Sequence, residues 1–223
     1  MEFQDKIVLV TGAGRGGGRQ VAEAFAAQGA ALALNDISPQ NVESLASALT
    51  ARGAQVKTYV EDIAKKVAVQ ALVKEVEDAF GRIDVLINHA AVEPHHPMLD
   101  MDEWDWHRTL DVNLTGAFLA MQSVGRVMRA HGGGVIVNLA SLSGGTISLD
   151  RSAYVSSLFG LVGLTRQASR ELFAYGIRVH AVGRGLGRFQ TTDATIPAEL
   201  TRAVLYLCGP RAAHLTGHII NVP

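Results

Sequence analysis

The sequence has one cysteine, Cys208, so no disulfide can close within a copy of the chain, which predicts a reducing compartment. It has no charge excess either: 20 basic residues stand against 21 acidic ones, which leaves nothing to draw it to nucleic acid or an anionic membrane surface. Every apolar run is interrupted by polar residues well before the length of about 18 that a membrane-spanning helix needs. The opening residues, MEFQDK, carry neither a basic nor a hydrophobic targeting pattern. Nor does a Pro/Ser-rich linker or a repeat of solenoid length divide the chain. Together these absences predict a cytoplasmic protein built as one sizeable domain over residues 1–223.

What is present is organised around residues 7–36, IVLVTGAGRGGGRQVAEAFAAQGAALALND. An apolar strand, residues 7–10, runs through Thr11 into glycines at 12, 14, 16, 17 and 18. Residues 19–28 then carry a helical stripe of Val21, Ala24, Phe25 and Ala26 closed by Gly29, and a second strand, residues 31–34, ends at Asn35 and Asp36. This is a βαβ unit. The spacing Gly12-x-Gly14-x-x-Gly17 fits the dinucleotide fingerprint, in which a pyrophosphate approaches bare amides at a helix N-terminus. Asp36 stands where a carboxylate can accept both ribose hydroxyls of an adenosine.

The alternation continues. Helices are expected over residues 41–52, 67–80, 101–129, 152–175 and 198–208, and strands over 55–60, 83–88, 135–139, 177–182 and 218–222. Seven strands separated by helices predict an α/β fold: a doubly wound, Rossmann-type parallel sheet with helices on both faces. In such a sheet ligands sit outside the carboxyl ends of the strands. Residues 11–18, Asp36, Asp62, residues 88–91, Ser141 and the segment from Gly183 onward are therefore the candidates.

Those positions carry a recognisable pattern. Thr11, Gly12, Gly16 and Gly18 match a TGxxxGxG motif; Asp62 and Ile63 follow the third strand; Asn88, His89, Ala90 and Ala91 stand where NNAG would; DVNLTG contains Asn113; VNLAS ends at Ser141; and Tyr154 falls 13 residues later. Over nearly its whole length the chain resembles a short-chain dehydrogenase/reductase. The resemblance implies hydride transfer with NAD or NADP between a carbonyl and an alcohol, with Tyr154 as acid/base, Ser141 orienting substrate oxygen and Asn113 supporting a water relay. It implies cofactor contacts from Gly12, Arg15, Gly16, Gly18, Asp36, Asp62, Ile63, Asn88, Ala90, Tyr154 and Gly185. Asp36 should repel a 2′-phosphate and favour NAD, whereas Arg15 could attract one.

The chain also departs from that pattern. The family's Tyr-x-x-x-Lys reads Tyr154 to Leu158, its Pro-Gly reads Arg184-Gly185, the substrate-covering segment is shortened to residues 186–197, and the sequence ends at Pro223. Without an ammonium to lower its pKa of about 10, a tyrosine is a poor base. Two functions are thus expected: an oxidoreductase impaired by Leu158, or a non-catalytic dinucleotide-binding relative that regulates or assembles with a partner. Leu158 also reads as ordinary helix packing. His89, Glu93, His95 and His96 are close in sequence but lack the spacing of a metal site, so no metal is expected. The apolar run Leu158, Phe159, Leu161, Val162, Leu164 exceeds what one helix face would bury, which predicts packing against a neighbouring subunit; the family resemblance implies a homodimer or homotetramer.

Overall fold

All five residues of the first strand, and all five of the second, are buried, as expected of strands covered on both sides. The computed structural model describes residues 1–140, 149–184 and 198–222. Its strands are β1 (Ile7–Thr11), β2 (Ala31–Asn35), β3 (Val56–Tyr59), β4 (Val85–Asn88), β5 (Gly134–Leu139), β6 (Ile177–Arg184) and β7 (Ile219–Val222). Its helices are α1 (Gly16–Ala27), α2 (Pro39–Thr50), α3 (Lys66–Phe80), α4 (Glu103–Leu110), α5 (Ala117–Ala130), α6 (Ser152–Glu171) and α7 (Ala198–Cys208). The strands form one sheet in the order β3-β2-β1-β4-β5-β6-β7, every pairing parallel. The strand order reverses between β1 and β4, which is where such a sheet opens a crevice.

Side chains of alternate strand residues face opposite ways. Val8 and Val10 join Phe25 of α1, Leu45 of α2 and Val204 of α7 in one core. Ile7 and Leu9 join Leu72 of α3 and Val124 of α5 in the other. A smaller cluster of Ala117, Ala140, Leu158, Leu161 and Ala181 seats α6. No helix among the described residues is long and apolar enough to cross a membrane.

Two local findings differ from the sequence reading and matter for the site. The first helix begins at Gly16 rather than at residue 19, so the glycines themselves form its first turn. The continuous helix expected over 101–129 runs unbroken over residues 103–130, but as α4, a π-helical turn at Asp111–Gly116, and α5. The wide turn follows from tertiary contacts that a 3.6-residue period does not contain. Asn113 is held by residues 92 and 157, and Gly116 lies so close to Ile63 that an added Cβ would come within 2.8 Å of its Cδ1. Residues 152–175 likewise divide into α6 and a short 3-10 turn, Phe173–Tyr175.

Candidate active site at the carboxyl ends of the strands

Register places Asn35, Thr11, Asn88 and Asn138 side by side on β2, β1, β4 and β5, one residue from each strand. All four are buried, at 1%, 0%, 4% and 0% exposure, so their polar atoms need partners. Asn88 Nδ2 donates to Asn138 Oδ1 (2.9 Å), Asn138 Nδ2 to Thr165 Oγ1 (2.9 Å), and Thr165 Oγ1 to Leu161 O (2.7 Å). This chain ties the strand ends to α6. Thr11 Oγ1 accepts the His89 amide at 3.2 Å, which fixes the turn leaving β4. Within this row, Asn88 Oδ1 is left buried without a partner among the described residues.

Beside this row lies the glycine loop. Arg15 is the N-cap of α1 and offers no side-chain bond to the first-turn amides, which therefore remain available to an anion. Gly12 (φ +65°) comes so close to Ala90 that a Cβ would sit 2.6 Å from its Cα; at Gly18 a Cβ would sit 2.3 Å from Gly12 O and 2.5 Å from His89 Cδ2. These two glycines, and Gly14 against Asn41, are required by packing within the protein. Gly16 (φ +55°) has only His89 Nε2 nearby, at 3.7 Å from its notional Cβ, so it is the glycine that leaves the helix end open. Arg15 and Gly16 both line the cleft. Close packing within the protein is thus a second demand on Gly12, Gly14 and Gly18, and Gly12 also lines the cleft.

His89 is the residue that a sequence reading of the loop misses. Burial lowers its pKa from 6.5 to about 4, against the opposing pull of a bond to the Arg15 backbone and the charge of Asp36, and Arg15 adds a smaller downward push. At neutral pH the imidazole is uncharged. Asp36, 8% exposed, accepts the Gly14 amide at 2.8 Å and the Ser38 amide at 2.9 Å, which leaves two of its lone pairs for ribose hydroxyls. Asp62 accepts the Ala64 amide at 3.1 Å and pairs with Arg108 at 3.1 Å, so its carboxylate is already engaged. Ile63 is buried at 5% exposure and packs against Gly116.

A cleft of about 630 Å³ runs past Gly12, Asp36, Asp62, His89 and Ala90 to Glu93 and Tyr154. Tyr154 projects from the first turn of α6, and burial, reinforced by the charge of Glu93, pushes its pKa to about 12, against a lowering pull from Arg151. Asn113 Nδ2 donates to Val92 O (3.0 Å) and to Ser157 Oγ (3.0 Å), and its Oδ1 accepts the Val92 amide (2.8 Å). Asn113 therefore clamps the chain after β4 to α6. Leu158 is 7% exposed within the apolar cluster under α6, with Tyr154 packed at its margin. Ser141 and Gly185 lie outside the described residues. The histidines and Glu93 that were close in sequence go to separate partners: His89 to the glycine loop, Glu93 to Arg151, and His96 to Asp105 at 2.9 Å.

An uncapped helix N-terminus, a carboxylate with spare lone pairs at the end of β2 and an orphaned buried amide oxygen at the end of β4 fit a dinucleotide. A second groove, about 370 Å³, is lined by residues of α5, α6 and the turn after α6, with Phe118, Leu164 and Tyr175 beside Arg126, Arg129 and Glu171, and lies apart from the strand ends.

The description "short chain dehydrogenase" matches residues 6–199. A (2S)-[(R)-hydroxy(phenyl)methyl]succinyl-CoA dehydrogenase subunit of Thauera aromatica is 36% identical over 100% of this chain and 96% of its own. A D-threitol dehydrogenase of Mycolicibacterium smegmatis is 39% identical over 95% and 89%. Among solved structures, an NAD+-bound xylitol dehydrogenase superposes with a TM-score of 0.90 at 29% identity, covering 100% of this chain and 99% of that one. A cleft of this construction, together with these likenesses over the full length, means that the chain belongs to the short-chain dehydrogenase family of NAD(P)-dependent oxidoreductases.

Proposed function

We propose that the protein interconverts a carbonyl and an alcohol on a small molecule with NAD, and that Tyr154 moves the proton. The observation that carries this reading is that Tyr154 shares one cleft with the α1 N-terminus and Asp36. Bound NAD would supply or accept the hydride. The first-turn amides of α1 would hold its pyrophosphate and Asp36 its adenosine ribose. Asp36 favours NAD because a 2′-phosphate would face a buried carboxylate, while Arg15 offers only a cation at the loop.

A phenol whose pKa stands at about 12 is fully protonated at neutral pH. It can donate its proton to a carbonyl oxygen during reduction, whereas oxidation requires the phenolate and should accelerate as pH rises. Ser141, by the family resemblance, would orient the substrate oxygen. Asn113 acts through position: its three bonds fix the loop after β4 against α6, the helix that carries Tyr154. Leu158 can neither lower the phenol pKa nor bond a ribose hydroxyl, so turnover should be weak. Residues 1–223 are read as one domain, with residues 186–197 a shortened cover for the substrate. Assembly as a homodimer or homotetramer is supported by the apolar groove between α5 and α6 and by Phe159, which is 59% exposed on α6.

A second reading, dinucleotide binding without turnover, is favoured by the burial of Leu158 in an apolar cluster where a cation would be expected. NADH oxidation against a panel of ketones and aldehydes, run beside a direct NADH binding titration, decides between them. Turnover that disappears in Tyr154→Phe supports the enzyme; binding with no turnover on any carbonyl supports the second reading.

A further inference from the structure

The loop after β4 carries a carboxylate, Glu93, that the family resemblance leaves without a role, and α6 begins with an arginine, Arg151, that it leaves equally unused. The structure joins them. The Arg151 guanidinium forms an ion pair with Glu93, with side-chain exposures of 23% and 34%. The pair is built into the fold: His96 N donates to Asp150 O at 3.0 Å, His96 and Arg151 form an isolated parallel bridge, and the His96 ring meets Asp105 of α4 at 2.9 Å. Arg151 is the N-cap of α6 and Tyr154 stands in its first turn, while Glu93, the ion-pair partner of Arg151, lines the same cleft as Tyr154. Arg151 Nε is buried and finds no partner among the described residues, so the guanidinium is not saturated by Glu93.

We propose that Arg151 is the cation of the proton-transfer site, standing in for the one position 158 lacks, and that Glu93 restrains it. This rests on the reading that Tyr154 transfers the proton. Arg151 would be a positioning residue, acting on substrate only through the phenol. Its charge favours phenolate and that of Glu93 opposes it, the Glu93 effect being the larger of the two. Besides Glu93, the charged groups lining the cleft are Asp62 and Arg108, which neutralise each other, and Arg15, Asp36 and Glu61, beside an uncharged His89. None of these changes in the variants below, so differences between variants report the pair. A substrate that displaced Glu93 from Arg151 would activate the tyrosine as it bound.

The test titrates Tyr154 directly. The chain has four tyrosines, so the phenolate absorbance of each protein minus that of the same protein carrying Tyr154→Phe isolates one of them. Glu93→Gln keeps the shape and removes the charge; it should lower the Tyr154 pKa by about one unit, giving about tenfold more phenolate at any pH below both values. Arg151→Met should raise the pKa, and Arg151→Lys should restore it. Circular dichroism at each pH confirms folding; if Arg151→Met does not fold, Glu93→Gln and Arg151→Lys decide alone. An unmoved or raised titration in Glu93→Gln overturns the proposal. Because absorbance needs no turnover, a downward shift without activity would uphold the pair and sink the proposed activity, whereas activity with an unmoved phenol would do the reverse.

Discussion

Replacing Leu158 by lysine tests the proposed activity at its weakest point. Position 158 lies one helical turn from Tyr154, on the same face, and its side chain lines a void of only about 10 Å³ with Thr11, Asn88 and Asn113. That is too small to hold a solvated ammonium. Ile63, Ala90 and Ala91 line both this void and the cleft, so the longer lysine would extend between them toward the cleft, past Asn88, which lines the void and whose Oδ1 lacks a donor among the described residues. The cost is loss of a buried leucine, about 1.5 to 3 kcal/mol, and partial desolvation of the ammonium, offset in part by a charge-assisted bond to Asn88. A net loss of about 2 kcal/mol would lower Tm by roughly 4 to 8 °C in a chain of this size. The gain is in the phenol: bringing a pKa of about 12 down by one or two units is worth about 1.4 to 2.7 kcal/mol, a tenfold to hundredfold rate effect if fully expressed in the transition state. The assay is paired, with Tm beside the initial rate of alcohol oxidation by NAD. Turnover should rise, and Tyr154→Phe in the same background should abolish the gain. A folded, NAD-binding Leu158→Lys protein that stayed inactive across diverse ketones and alcohols would refute the reasoning.

Four further outcomes are expected. Gly18→Ala forces a Cβ to within 2.3 Å of a backbone oxygen, so it should cost about 1 to 3 kcal/mol in urea unfolding and at least tenfold in NADH affinity; an unchanged affinity would mean that the loop does not carry the cofactor. Asp36→Ala removes the acceptor of the Gly14 and Ser38 amides and should weaken NAD binding about tenfold while narrowing discrimination against NADP, as read by isothermal titration. His180, fully buried, has its pKa lowered to about 4 by burial and by the adjacent Arg178, so stability is complete above about pH 6.5 and falls as pH drops toward 4, by up to about 3 kcal/mol. His180→Asn should flatten that limb of the urea midpoint against pH, and an unchanged slope would refute the assignment. Light scattering at micromolar concentration should give a multiple of 23.7 kDa; a monomer would exclude assembly through the α5 and α6 face.

By itself the sequence determined the parallel sheet, because β1, β2 and β4 are unbroken apolar runs that only a sheet covered on both faces can bury. It also determined the βαβ unit with its glycine loop and the spacing that puts Tyr154 and residue 158 on one helix face, since both are local patterns of a few residues. Tertiary structure decided the rest. The π-helical turn between α4 and α5 depends on Asn113 reaching residues 92 and 157, so the apolar period shows the long helix but not the wide turn inside it. Asn88 and Asn138 are 50 residues apart and become partners only because β4 and β5 pair in that register. The pKa of Tyr154 is set by how deeply α6 packs and by the two charges at its side, one of which comes from the loop after β4. Periodicity reports which face of an element will be buried; which distant polar groups then meet is decided by how those buried faces pack, and the chemistry of the cleft rests on those meetings.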